Sequence, residues 1–333
     1  MRAMVLNRLG PINDHSLILS ERDVPEPEGR ELLIRVLVCG VCRTDLHVIE
    51  GDLAREKLPI IPGHQVVGEV VGLGRAAERF KVGERVGIPW LRHTCGSCAF
   101  CSAGKENLCE ASRYTGYHAD GGYAEYALID ENYAYRIPPI FSDEEAAPLL
   151  CAGIIGYRAL MRSNPRRGGT LAIYGFGSSA HLTFQVAKHL GCEIYVITRG
   201  TESQRLAREM GATWTGDASG ELPSRVESAI IFAPAGELIP HALRSLEKGG
   251  TVSLAGIYMS QIPAMDYESC LFHEKHLTSV EANTRTDGEE FLRIAEAIPI
   301  RPRIVPFALT QANEALIALK NAKLSGSAVL RLG

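Results

Sequence analysis

Up to about residue 135, apolar positions come in short β-branched stretches broken by Gly and Pro. Residues 1–7 alternate as a strand does, and residues 31–39, 63–72 and 121–129 each read as a further strand. Short strands joined by long loops make a barrel-like pattern. Ser142 followed by Glu145 is capping-box chemistry and starts a helix. A second helix is predicted over roughly 152–162, ending at the turn Asn164-Pro165 and Arg166-Arg167-Gly168-Gly169. The texture changes at residue 170. Apolar strands at 170–174, 193–197, 228–233 and 251–256 alternate with helical runs at 181–190, 202–210 and 238–246. That alternation predicts a parallel sheet covered on both faces. In the last stretch, a helix near 288–297, a strand at 303–308, a helix capped around Thr310 and running to about Lys320, and a strand at 327–332 are expected to return to the first domain. The chain has no internal repeat and no low-complexity segment.

Length, charge and cysteine usage narrow the picture. A chain of 333 residues fits about two domains. Its net charge of −4 offers neither a basic footprint for nucleic acid nor a polybasic membrane patch. No apolar run approaches the ~20 residues of a spanning helix, and the N-terminus does not read as a signal peptide. Nine cysteines, several at metal-ligand spacing, fit a reducing, cytoplasmic setting better than a disulfide framework.

Three motifs carry chemistry. Cys42 and His64 are a thiolate and an imidazole suited to a catalytic zinc, with Thr44 and His47 placed to move a proton away from something bound there. Cys95, Cys98, Cys101 and Cys109 have C-x2-C-x2-C-x7-C spacing and can close a tetrahedral shell around a structural Zn²⁺; an iron–sulfur cluster is the other occupant such spacing allows. Gly175-x-Gly177-x-x-Ala180 lies between a predicted strand and helix, the context a dinucleotide fingerprint needs, with pyrophosphate on the helix N-terminus. The next strand ends at Thr198-Arg199-Gly200 without the acid that NAD-binding folds usually place there. Thr198 and Arg199 can instead hold a 2′-phosphate, which favours NADP(H) and leaves NAD(H) open.

Taken together, residues 40–47, Pro62-Gly63-His64, the four-cysteine lobe, residues 148–153 and 174–180 resemble a zinc-containing alcohol dehydrogenase of the medium-chain dehydrogenase/reductase family. The resemblance spans the chain. It implies an α/β architecture: a GroES-like β-rich catalytic domain at 1–150 and 288–333, with a zinc lobe at about 90–112, and a doubly wound Rossmann domain at 151–287. It implies a site at the carboxyl ends of the parallel strands, in the cleft between the domains. It implies Cys42, His64 and Cys151 around the catalytic zinc, with Asp45 orienting His64. Arg43 is implied at the cofactor pyrophosphate, and Trp90 as a wall of the substrate pocket. The implied reaction is reversible hydride transfer between NAD(P) and a small alcohol, with its aldehyde or ketone on the other side. Relatives assemble as dimers or tetramers.

Three departures stand out: Gln65 where the family often has Glu, Ile155 where many relatives have Thr, and Gly326-Ser327 where many have Gly-Arg. Cys39, Cys192 and Cys270 are expected as buried small hydrophobes. His93 and His181 are expected to be structural. Two other classes share these features: a zinc-free quinone or enoyl reductase, opposed by the intact Cys/His/Cys set, and a non-enzymatic zinc-binding regulatory protein, opposed by the intact Thr44/His47 pair.

Overall fold

The computed structural model describes residues 1–53, 57–324 and 326–332. The chain forms two compact units. One comprises Met1–Ala152, Thr284–Glu296 and Arg301–Gly333; the other comprises Gly153–Asn283 and Ala297–Ile300.

The first unit is built on a seven-stranded sheet. Its order is Ile304–Ala308, Ser327–Arg331, Glu31–Gly40, Val66–Leu73, Arg85–Ile88 and Tyr135–Arg136, with Tyr126–Asp130 paired on Glu31–Gly40 beside this path. Glu31–Gly40 is the spine. Its N-terminal half pairs with Tyr126–Asp130 and its C-terminal end with Ser327–Arg331, while Val66–Leu73 lies along the other side. Leu32, Ile34, Val36 and Val38 alternate into the core, the period of two expected of a strand with one buried face. The chain leaves this strand at Gly40 and enters the helix Arg43–Glu50, so the strand end aims the Cys42 segment.

Several predicted boundaries move. The strand expected from residue 121 begins at Tyr126; the N–H groups of Gly121, Gly122 and Tyr123 go instead to the carbonyls of Ile61, Gly63 and Pro62. The helix expected near 288 begins at Arg285, where Thr284 and Asp287 cap one another: Thr284 donates to Asp287 Oδ2 at 2.7 Å and the Asp287 N–H returns to Thr284 Oγ1 at 3.1 Å. The cap expected at Thr310 is a 3-10 turn, Leu309–Gln311, ahead of the helix Ala312–Lys320. The N-terminal strand Arg2–Leu6 buries Ala3, Met4, Val5 and Leu6 in succession rather than alternately.

The second unit holds a six-stranded, wholly parallel sheet in the order Trp214–Gly216, Glu193–Ile197, Thr170–Tyr174, Val226–Ile231, Leu246–Leu254, His276–Ser279. Leu171, Ala172, Ile173 and Tyr174 are all fully buried, as a strand covered on both faces requires. From Thr170–Tyr174 the chain moves first to one side of the sheet and then crosses to the other. The carboxyl ends of Thr170–Tyr174 and Val226–Ile231 therefore flank the point where strand order reverses. Among the described residues no helix is long and apolar enough to cross a membrane.

Candidate active site and metal centres

Cys42 caps the helix Arg43–Glu50 in extended conformation, and Asp45, three residues on, accepts the Cys42 N–H at 2.9 Å. This local box sets Asp45 inward. There its carboxylate collects three further donors: His64 Nδ1 at 3.0 Å and the Gly63 N–H at 3.3 Å on Oδ1, and the Tyr123 hydroxyl at 3.1 Å on Oδ2. Asp45, His64 and Tyr123 are all at most 1 % exposed. A buried carboxylate on Nδ1 fixes the imidazole tautomer and leaves Nε2 as the basic nitrogen. That Nε2 is buried without a hydrogen-bond partner of good geometry among the described residues. It belongs to a group with the Sγ atoms of Cys42 and Cys151, all within 4.8 Å of one another.

Protonation in this group follows from its neighbours. Cys42 is held well below its usual value, chiefly by the Cys151 thiol 3.9 Å away and then, against burial, by His64. Burial lowers the affinity of His64 for a proton, but Asp45 and Cys42 outweigh it and raise the imidazole to about 10. Cys151 is pushed well up by its bond to Cys42 and by burial. Cys151 and His64 thus hold their protons while Cys42 gives its proton up, so the thiolate is balanced by the imidazole beside it. A soft cation with N/S preference fits this donor set. Three protein ligands also match a catalytic zinc, which keeps one position open.

Cys151 reaches the group from an unusual element. The helix Asp143–Pro148, capped by Ser142 and Glu145, widens into a π-helical turn over Leu149–Gly153 before resuming as Ile154–Arg162. Pro148 supplies no N–H to the preceding turn, and single π turns of this kind are frequent at functional sites. Beside the group, Thr44 Oγ1 lies 3.6 Å from Cys42 Sγ. His47 is on the next turn, buried, with Nδ1 2.7 Å from Asp52 Oδ2. Trp90 is buried with its ring edge-on to His64 at 4.9 Å and stacked on Tyr114 at 4.9 Å. Arg43 is exposed. Gln65, where the family often has a charge, is buried.

The four-cysteine segment forms a second group, Cys95, Cys98, Cys101 and Cys109, again with ligand atoms within 4.8 Å and no disulfide. Backbone N–H groups of Ser97 and Cys98 bring the Cys95 thiol down to about 6, while burial and Cys98 push Cys101 up to about 11. Four sulfurs at this spacing cannot all ionise without a cation to balance them. Full occupation by protein ligands is the pattern of a structural zinc.

In the second unit the fingerprint sits at the reversal of strand order. Gly175 has φ 88°, a left-handed conformation that suits glycine. A Cβ at Gly177 would meet nothing within 4 Å, so the space over this turn is open to a ligand. The helix Ser178–His189 starts at Gly177 with no side-chain cap, and a helix N-terminus favours an anion. Ala180 is fully buried, as close helix–strand packing demands. Thr198 is buried at the end of the next strand and Arg199 is exposed. The following helix, Thr201–Glu209, also begins at a glycine, Gly200, without a side-chain cap.

One expectation changes. Cys192 is half-exposed rather than buried, because it lies in the turn between Ser178–His189 and Glu193–Ile197; Cys39 and Cys270 are fully buried as expected. Asp52 and Tyr123, which bond two of the central side chains, were not anticipated. A glycine followed by an acid at the end of a helix was the available signal for Asp52; nothing local marked Tyr123.

Comparison with known proteins identifies the family. The family model of the alcohol dehydrogenase GroES-like domain matches residues 28–139, and that of the zinc-binding dehydrogenases matches residues 180–297. The probable alcohol dehydrogenase AdhA of Mycobacterium tuberculosis (strain CDC 1551 / Oshkosh) is 47% identical over 99% of this chain and 97% of its own length. An alcohol dehydrogenase of Geobacillus stearothermophilus is 35% identical over 100% and 99% of the two chains. The cobalt- and zinc-bound thermostable alcohol dehydrogenase of Pyrobaculum aerophilum superposes with a TM-score of 0.88 at 25% identity, covering 100% and 99%. With a GroES-like unit, a parallel dinucleotide-type sheet and relatives matched end to end, the chain belongs to the zinc-containing alcohol dehydrogenases of the medium-chain dehydrogenase/reductase family.

Proposed function

We propose that this protein oxidises small primary or secondary alcohols, and reduces the matching aldehydes or ketones, with two zinc ions per chain and NADP(H) as the preferred cofactor. The observation that carries the reading is the group Cys42, His64 and Cys151: a buried imidazole nitrogen without a hydrogen-bond partner of good geometry among the described residues, grouped with two sulfurs and backed by the Asp45 carboxylate. Zinc supplies a Lewis acid that makes an alcohol hydroxyl more acidic or polarises a carbonyl, and the nicotinamide accepts or returns a hydride.

The protein's own groups do the rest. Asp45 holds His64 in the tautomer whose Nε2 is available. Thr44 takes the substrate's hydroxyl proton at Oγ1 while passing its own onward, and His47 carries it towards solvent. Trp90, packed on His64, bounds the substrate. Gly175, Gly177 and the uncapped turn of Ser178–His189 receive the pyrophosphate with Ala180 packed beneath, and Arg43 adds a cation to it. Thr198 and Arg199 take the 2′-phosphate, where an acid would repel it; Arg suits phosphate through its planar fork. Cys95, Cys98, Cys101 and Cys109 hold the structural zinc. Family membership supports assembly as a dimer or tetramer.

The test combines metal analysis with a screen of primary and secondary alcohols, aldehydes and polyols against both cofactors. Wild type should hold two zinc ions. Cys42→Ser should hold one, remain folded by circular dichroism, and lose activity. An active wild type with one metal, or a fully loaded one that oxidises no alcohol with either cofactor, overturns the reading.

A further inference from the structure

The helix Arg43–Glu50 ends at Gly51, whose φ of 81° and ψ of 22° are left-handed. Through this turn the N–H groups of both Gly51 and Asp52 donate to the His47 carbonyl, at 3.1 and 3.0 Å. The chain is folded back on residue 47, and the Asp52 carboxylate comes to rest 2.7 Å from His47 Nδ1. Asp52 therefore holds His47 twice, by main chain and by side chain. A side chain at Gly51 would be strained by φ, and its Cβ would stand 3.2 Å from Leu9. The neighbouring acid is committed elsewhere: Glu50 accepts the Ile12 N–H at 3.0 Å and pairs with Lys320 at 2.6 Å. The His47 side chain is 11% exposed and that of Asp52 40%, so the imidazole is enclosed while its carboxylate partner opens to water.

We propose that Asp52 is a positioning residue of the proton relay, an assignment that rests on the alcohol dehydrogenase reading above. Its carboxylate accepts the Nδ1–H of His47, fixes the ring's orientation and puts the ring's lone pair on Nε2. A ring nitrogen's protonation is set by the hydrogen bond the other one makes. During alcohol oxidation the proton released on the Thr44 side arrives at Nε2. The imidazolium so formed keeps its Nδ1–H on Asp52, which stabilises the added charge, and it then gives the Nε2 proton to water. In carbonyl reduction the same proton enters from water at Nε2. Without Asp52, an imidazole reverts to the Nε2–H form that predominates in water, which cannot accept a proton on that side.

The experiment uses the zinc-loaded full-length chain labelled with 15N-histidine, the His47 signals being assigned by their loss in His47→Gln. Wild type should show the Nδ1–H tautomer at His47. Asp52→Ala should shift it towards Nε2–H, and kcat for alcohol oxidation should fall about tenfold with KM within about twofold. General acid–base steps are worth 10²–10⁴-fold, and water can bypass a relay in part. Asp52→Glu should restore most of the rate. Asp52→Asn, whose amide oxygen also accepts Nδ1–H, should keep the tautomer and lose only the part of the rate due to charge. Nε2–H in wild type, or an Asp52→Ala protein with unchanged kcat, overturns the assignment. So does a rate loss in Asp52→Ala with the tautomer unchanged. A wild type that oxidises no alcohol would sink the reading of function instead, and the tautomer would still report whether Asp52 holds the ring.

Discussion

At the residue scale, Asp45 joins Cys42 and His64 through one buried carboxylate. Both of its oxygens accept two donors each, from Cys42 N–H and Tyr123 OH on one, and from His64 Nδ1–H and Gly63 N–H on the other. Asparagine keeps one acceptor oxygen and turns the other into a donor. Whichever way the amide faces, two buried donors lose their acceptor and meet an N–H group. Asp45→Asn should therefore weaken zinc at Cys42, His64 and Cys151 by about 10–100-fold, the usual loss when such a partner is changed. Chelator competition followed by metal analysis should show that site emptied first, with the four-cysteine site retained. Equal retention at both sites would mean that Asp45 does not orient His64. Asp45 entered through likeness to a family, and its local cap on Cys42 shows only in the fold. Tyr123 was not legible in the sequence, since it meets Asp45 across 78 positions of chain and only the fold brings them together.

At the scale of elements, the cysteine lobe is tied to its unit through Glu106, which lies between Cys101 and Cys109. Arg285, at the start of the helix Arg285–Ala297, gives Glu106 its main-chain N–H at 2.7 Å and its guanidinium at 2.7 and 3.0 Å, and lies over the Tyr133 ring at 5.0 Å. Tyr133 in turn accepts the Thr94 N–H at 2.7 Å, just before Cys95. Burial alone would raise the Glu106 carboxyl, but the Arg285 bonds outweigh it and hold it below its usual value. Glu106→Gln should cost about 1–2 kcal/mol, less than a fully buried charged pair because Arg285 is 40% exposed. A carboxyl with depressed folded-state pKa stabilises fully above its unfolded value, near 4.3, and loses that contribution as pH falls through the lower folded value. Melting of wild type and variant should thus differ at pH 7 and converge below about pH 4. A gap independent of pH would show that the charge is not what ties the lobe down.

For the whole molecule, the metal groups lie in one compact unit and the dinucleotide fingerprint in the other. On the proposed reading, cofactor choice is set at the second unit's strand ends. Arg199→Ala should raise KM for NADP(H) at least tenfold more than for NAD(H), the effect of losing a charge-assisted bond of about 1.5–3 kcal/mol. It should also abolish any extra rise in melting temperature that NADP(H) produces over NAD(H) at equal concentration, since a ligand stabilises in proportion to its affinity. Equal effects on both cofactors, or a wild type that prefers NAD(H), would show that Arg199 does not read the phosphate.

How much of this could be seen in advance depended on how far apart the interacting residues lie. Patterns carried by short stretches were visible at once: the alternating strands and helices of the parallel sheet, the four cysteines, Gly175 to Ala180, and the Ser142–Glu145 cap. Periodicity and spacing are local, and so are their physical causes. Cys151 entered through likeness to a family, because the residues alone offered no reason to join it to Cys42 across 109 positions. The remaining features needed the folded chain. Residues 121–123 left the strand pattern, their N–H groups taken by the carbonyls of Ile61, Gly63 and Pro62. The π turn placed Cys151, the left-handed Gly51 returned Asp52 to His47, and Arg285 found Glu106 across 179 positions. Burial decides the strength of each of these bonds, and burial is a property of the packed molecule rather than of any stretch of its sequence.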